Sequence, residues 1–179
     1  MRILDYSRIM IVGNNGSGKS VLAVELGIIT GLPIIHLDNE FWRPNWETPS
    51  KEEWHDKNIE LAAQEKWIID GNVDFGGTME LRFNMADLII FLDISRLVCL
   101  AGVIKRNGKK RADTPEYHYK KEAFDKKFLG FCKGIWNYSK NRKIDLLNLH
   151  NKYPEKTFVV IKSRNKLKKL LIQWKNENK

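Results

Sequence analysis

Short blocks of consecutive apolar residues recur along this chain, separated by longer stretches of mixed character. Arg8-Ile9-Met10-Ile11-Val12, Ile34-Ile35-His36-Leu37, Trp67-Ile68-Ile69, the run from Asp87 to Leu92, and Thr157-Phe158-Val159-Val160-Ile161 have the length of strands. Their unbroken apolar character is that of strands covered on both faces. Val21-Leu22-Ala23-Val24-Glu25-Leu26 reads as the first turns of a helix. Ser50-Lys51-Glu52-Glu53 has the form of a capping box and opens a second helix, to about Glu65. Arg96 to Arg106 reads as a helix, and Glu116 to Asn148 as two helices broken near Lys140-Asn141. Ser163 caps a last helix whose apolar positions are Leu167, Leu170, Leu171 and Trp174. Gly31 and Pro33 punctuate the approach to the second strand, Phe41 to Pro49 is an aromatic, Pro-containing loop, and Asn107 to Asp113 is a polar, basic loop or flap. Strands alternating with helices predict an α/β fold, a parallel sheet covered on both faces. No repeat, low-complexity segment or linker divides the chain, so residues 1–179 are expected to form one domain.

The junction after the first strand carries chemistry. Gly13-Asn14-Asn15-Gly16-Ser17-Gly18-Lys19-Ser20 fits G-x-x-x-x-G-K-[ST], with an apolar strand before it and a helix after it. Glycines let the backbone wrap closely around phosphate oxygens, and successive N–H groups then form an anion-binding nest. The donors and dipole of the helix N-terminus point into the same space. In such a loop Lys19 bridges the β- and γ-phosphates of a nucleotide and the Ser20 hydroxyl ligates Mg²⁺. No Asn-Lys-x-Asp guanine reader follows a strand, so ATP is the expected nucleotide.

Three of the strands run into an aspartate: Asp38, Asp70 and Asp93. In a parallel sheet their carboxyl ends share the edge where the phosphate loop leaves the first strand, which is where ligands bind. Asp70 is a candidate metal ligand or catalytic group, and Asp38 a candidate for substrate or Mg²⁺. Asp93, followed by Ile94-Ser95, is expected to begin a turn or cap a helix. Phe41, Trp42, Trp46 and Trp54 lie beside Asp38, either as a stacking wall for a ring or as ordinary core. Trp42 and Arg43 are the stronger contact candidates among them. His36, inside a strand, is expected to be a satisfied core side chain rather than a base.

Composition narrows the picture without redirecting it. Apolar residues make up 42% and no run approaches a membrane span, so a globular, cytoplasmic protein is expected. No secretion-signal layout opens the sequence, and Cys99 and Cys132 are too few and too far apart for a disulfide framework or zinc site. The net charge of +9 favours anionic partners: nucleotides, phosphorylated metabolites or nucleic acid. Lys105, Arg106, Lys109, Lys110, Arg111, Lys120, Lys121, Lys126 and Lys127 concentrate that charge in one region. Basic residues with interleaved aromatics in the pattern of a nucleic-acid module are absent from the sequence.

Several stretches together resemble the DNA topology modulation protein family, small phosphate-loop proteins akin to adenylate and shikimate kinases. They are Gly13 to Ser20, His36-Leu37-Asp38, Phe41-Trp42-Arg43-Pro44-Asn45-Trp46, Trp67-Ile68-Ile69-Asp70-Gly71-Asn72 and Ala86 to Asp93. The resemblance implies a three-layer P-loop nucleoside triphosphate hydrolase fold, with a five-stranded parallel sheet of order 2-3-1-4-5 and a helical, lid-like region at about 107–148. It also implies that Arg82 holds the acceptor, and that Arg106 and, on a looser match, Arg142 close over the transferred phosphoryl group. One departure stands out: Gly102 occupies the position where the family usually carries an arginine against the base. Arg96 and Arg111 are the candidate substitutes. The leading expectation is an ATP- and Mg²⁺-dependent phosphotransferase with a nucleoside, nucleotide or sugar-like acceptor. The alternative is a DNA-associated, ATP-binding protein without small-molecule kinase activity, and a third is a degenerate kinase that binds nucleotide without turnover.

Overall fold

The computed structural model describes residues 1–106 and 126–177. The flap expected at 107–113, the start of the helix expected from Glu116, and Lys109, Lys110, Arg111, Lys120 and Lys121 lie outside the described residues. Five strands, β1 (Arg8–Gly13), β2 (Ile34–His36), β3 (Trp67–Asp70), β4 (Leu88–Leu92) and β5 (Thr157–Ile161), form one all-parallel sheet of order β2-β3-β1-β4-β5. The helices are α1 (Lys19–Thr30), α2 (Leu37–Phe41), α3 (Lys51–Ala63), α4 (Thr78–Met85), α5 (Arg96–Arg106), α6 (Lys126–Asn137), α7 (Arg142–Lys152) and α8 (Arg164–Asn176).

The two faces explain why the strands show no polar alternation. Side chains alternate along a strand, so Ile9 and Ile11 enter one core while Met10 and Val12 enter the other. The first core takes Leu22 and Leu26 of α1, Cys99 of α5, Ile135 of α6 and Trp174 of α8. The second takes Trp54 of α3, Phe83 of α4 and Leu146 of α7. Burial on both sides covers the three inner strands β3, β1 and β4 almost throughout, while the outer strands β2 and β5 are partly exposed.

Local signals hold where the chemistry is local. Glu53 N–H donates to Ser50 Oγ at 3.1 Å and Ser50 N–H donates to Glu53 Oε2 at 2.7 Å, which completes the capping box of α3. Ser163 Oγ accepts from Lys166 N–H at 3.2 Å and starts α8. The expected break between the helices at 126–152 falls at Asn141, after a 3₁₀ turn over Tyr138–Lys140. Arg96 stacks its guanidinium 3.9 Å from the Trp136 ring centroid, joining α5 to α6.

Two elements differ from the expected pattern. The second strand ends at His36, and Leu37, expected as its last residue, instead begins helix α2, which runs to Phe41 at the start of the expected loop. Leu37 and Phe41, spaced i and i+4, are both buried, and a helical turn puts both on one face. Next, Pro44–Trp46 forms a 3₁₀ turn in which Asn45 and Trp46 have φ of 62° and 63°. Positive φ is unusual for a bulky aromatic, which local preference does not anticipate. Among the described residues, no helix is long and apolar enough to cross a membrane.

Ser50→Ala is expected to lower stability by about 1 kcal/mol in urea unfolding, with the fold retained. The Ser50 backbone N–H, and Arg43 after it, hold the Glu53 carboxyl below its usual range. A carboxyl lowered in the folded state contributes stability above its unfolded value and loses it as pH falls through its folded one. The effect of Glu53→Gln is therefore expected to shrink in acid.

Candidate functional site

Strand β1 ends at Gly13 and α1 begins at Lys19, so residues 14–18 turn the chain within five positions. That turn needs left-handed backbone: Gly16 has φ 80° and Gly18, the N-cap of α1, has φ 102°. A glycine N-cap offers no side chain to the first N–H groups of α1. Gly16 also lies hard against α5, since a Cβ there would fall 2.2 Å from the Cys99 carbonyl oxygen. Ser17 is buried, and its hydroxyl has no hydrogen-bond partner. An orphaned hydroxyl and an uncapped helix start inside a tight backbone cradle are what a phosphate group would satisfy.

Lys19 folds back into the loop, donating to the Gly13 carbonyl at 3.0 Å and the Asn14 carbonyl at 3.3 Å. Burial pulls its pKa below the ordinary lysine value; Asp70 and then Asp38 push it back, and Arg106 adds to the lowering. These couplings place Asp70, Asp38 and Arg106 in one electrostatic neighbourhood with the loop. Asp70 is the last residue of β3 and only 4% exposed. Its Oδ2 lies 2.8 Å from His36 Nδ1. His36 is thus satisfied, as expected, but half-buried and through the carboxylate of Asp70 rather than within plain core. The register decides this, since His36 and Asp70 are paired positions on adjacent strands. Asp38 sits in the first turn of α2 and is exposed, one residue past its expected place at a strand end.

The loop is also tied to its neighbours. Asn72 accepts from Gly13 N–H at 3.1 Å through Oδ1 and donates to the Gly13 carbonyl through Nδ2. Asn14 Nδ2 donates to the Ile135 carbonyl of α6 at 2.8 Å, while its Oδ1 accepts from Asn15 N–H at 2.8 Å. Arg164 Nη2 donates to the Gly16 carbonyl at 3.3 Å. None of these partners follows from spacing in the chain; Asn72 lies 59 residues from Gly13 and Arg164 148 residues from Gly16.

Arg82 takes a different place from the one expected. It is fully buried, with Nη1 donating to Asn58 Oδ1 and to Thr78 Oγ1 at 2.9 Å, and Nη2 to the Val73 carbonyl at 2.7 Å. Burial draws its pKa down to about 10, so it remains charged at neutral pH. It braces α3, α4 and the turn after β3, and is not presented to an acceptor. Arg142, the first residue of α7, reaches Asp74 Oδ2 at 3.3 Å and is half exposed. Asp93 does more than turn the chain, because it accepts from Lys143 Nζ at 2.7 Å and fastens the end of β4 to α7. The aromatic group divides: Phe41 and Trp54 are core, Trp42 is half-buried, and Trp46 is 50% exposed with its ring centroid 5.6 Å from that of Trp42. Arg43 pairs with Glu53 at 3.3 Å on the surface.

Gly102 packs against the loop. A Cβ there would meet the Gly16 carbonyl oxygen at 2.9 Å and Arg164 Nη2 at 3.0 Å. The space next to Gly102 is thus taken by the Arg164 guanidinium. Of the two expected substitutes, Arg96 is stacked on Trp136, and Arg111 lies outside the described residues.

No protein-family model matches the chain. No curated protein matches it either. Solved structures do. A shikimate kinase from Acinetobacter baumannii, in complex with shikimate, superposes with a TM-score of 0.60 at 13% identity, over 97% of this chain and 96% of the other. A shikimate kinase from Bacteroides thetaiotaomicron gives 0.57 at 14% identity, over 96% and 97%. A gluconokinase from Sinorhizobium meliloti 1021 gives 0.53 at 15% identity, over 99% and 91%. At these identities the likeness shows the fold, a P-loop kinase-like α/β sheet. The resemblance to the DNA topology modulation family finds no support in these comparisons.

Replacing Gly102 by Arg is expected to displace Gly16 or Arg164 rather than restore a base contact. Thermal melts of Gly102→Ala and Gly102→Arg should show a loss of about 1–3 kcal/mol, larger for Arg, with no gain in nucleotide affinity.

Proposed function

We propose that this protein is an ATP-dependent phosphotransferase acting on a small hydroxyl-bearing acceptor. The observation that carries the reading is the glycine-turned, uncapped start of α1, with the buried, unpartnered Ser17 hydroxyl and the Lys19 ammonium folded into it, and with Asp70, Asp38 and Arg106 near enough to act on the Lys19 charge. Fold likeness to a shikimate kinase and a gluconokinase favours a small-molecule acceptor.

The roles follow from charge. Backbone N–H groups of the loop not already bonded within it, with those at the start of α1, hold the nucleotide phosphates, and the Lys19 ammonium turns from the loop carbonyls onto the terminal ones. Asp38, exposed at the edge, positions the acceptor hydroxyl and takes its proton as the oxygen attacks the terminal phosphorus. The bond from that phosphorus to the bridging oxygen breaks, and ADP leaves. Arg106 neutralises charge on the equatorial oxygens, for which a planar guanidinium is well shaped. Trp42 and Trp46 offer ring faces to the acceptor, with Arg43 and Arg142 at its periphery.

Mg²⁺ suits the donor set. Among the described residues no three His, Cys, Asp or Glu side chains form a cage. Mg²⁺ characteristically keeps several waters and takes one or two protein ligands plus phosphate oxygens. Ser20, in the first turn of α1, and Asp70 would hold it, and it would supply positive charge to offset that of the phosphates.

Calorimetry with ATP and Mg²⁺ is expected to show binding, and acceptor screening with labelled ATP to show transfer; absence of ATP binding sinks the proposal. Lys19→Met should lower kcat/KM for transfer by about 100-fold or more. Because burial lowers the Lys19 pKa and phosphate needs the protonated form, affinity should be full below that lowered value. It should then decline as pH rises, starting beneath the ordinary lysine range near 10.5. A pH-independent affinity in Lys19→Met over the same range identifies the titrating group.

A further inference from the structure

The parallel ladder between β1 and β3 ends early. Its last backbone rung is Gly71 N–H to the Ile11 carbonyl, at 3.2 Å. Two residues on, Gly13 points its N–H and C=O the same way, beyond the end of β3. The Asn72 side chain fills that gap. Its carboxamide gives Gly13 both halves of a rung, an acceptor for the N–H and a donor for the C=O. The amide has only one orientation that makes both bonds, because Gly13 N–H can only donate.

The same Gly13 carbonyl holds Lys19, and so does the Asn14 carbonyl. On the proposed function, Lys19 must leave both when a nucleotide phosphate arrives. A half-buried carbonyl deserted by its only donor opposes that move. Here neither is deserted: Asn14 O keeps the Ser17 N–H at 3.1 Å, and Gly13 O keeps Asn72 Nδ2. The first spare donor is backbone and comes with the loop. The second is a side chain, and mutation can remove it.

We propose that Asn72 is a positioning residue for nucleotide binding, one that keeps the Gly13 carbonyl satisfied so that Lys19 is released to the phosphate. It acts through Lys19 and does not touch the nucleotide. Gly13 N–H, bonded to Asn72 Oδ1, is spent on this clamp, as Asn15 N–H is on Asn14 Oδ1 and Ser17 N–H on the Asn14 carbonyl, and the phosphate nest is left to the other N–H groups of the loop and of the start of α1. The inference rests on the phosphotransferase reading and adds a residue that the P-loop motif does not contain.

The test is a double-mutant cycle on the full chain: wild type, Asn72→Ala, Lys19→Met and the double variant. ATP affinity with Mg²⁺ is measured by displacement of a fluorescent ATP analogue, and each protein is melted without nucleotide. Asn72→Ala is expected to weaken ATP binding roughly tenfold when Lys19 is present, by stranding the Gly13 carbonyl as the ammonium leaves. In the Lys19→Met background the same substitution should change affinity little. An equal loss in both backgrounds means that Asn72 merely shapes the loop, and overturns the inference; so does no loss in either. If Asn72→Ala does not melt cooperatively, Asn72→Ser replaces it in the same cycle, and failure of both to fold marks the amide as structural and overturns the inference too. The parent reading fails separately: wild type that binds no ATP, or Lys19→Met that binds it as tightly as wild type, removes the premise and this inference with it.

Discussion

An ammonium group resting on two backbone carbonyls, in a loop too tight to hydrate it fully, is the constraint on which this edge of the sheet depends. A charge withdrawn from water must find compensation nearby. Here the compensation is partial: two carbonyl dipoles close by, and Asp70 and Asp38 at longer range. A cation so placed is poised to accept an anion. The orphaned Ser17 hydroxyl and the uncapped start of α1 add to the same demand.

The scaffold serves that demand by tying the loop down from three sides. Asn72 extends the β1–β3 ladder, Asn14 reaches α6, and Arg164 reaches back from the start of α8. Gly16 and Gly102 allow α5 and the loop to approach with no side chain between them. A loop fixed in this way presents its N–H groups without reorganising, which is how preformed dipoles gain their effect on a charged ligand. Other cations at this edge are engaged by the scaffold as well. Arg82 binds three neighbours inside the fold, Lys143 fastens α7 to Asp93, and Arg142 fastens it to Asp74. A rich supply of arginine and lysine near a phosphate loop thus says less about ligand contacts than its count implies.

Gly102 illustrates how one position changes meaning when neighbours are known. Viewed along the chain, it is a missing arginine and a reason to doubt base packing. In the fold it is a close-approach glycine beside Gly16, with the guanidinium of Arg164 filling the adjacent space.

The sequence by itself determined the α/β class, the five strands, most of the helices between them, the capping box at Ser50 and the phosphate loop. Each of these rests on neighbours within about four residues, where periodicity and capping chemistry act. The aspartates were legible as a group for the same reason, because each closes an apolar run. Only the tertiary structure decided that His36 pairs with Asp70, that Arg82 is buried, that Asp93 binds Lys143 and that Asn72 completes the rung at Gly13. The segment from Leu37 to Phe41 likewise became a helix because two apolar side chains had to reach one core. Such pairings depend on strand order and register, which join residues tens of positions apart, and local preference carries no term for partners at that distance.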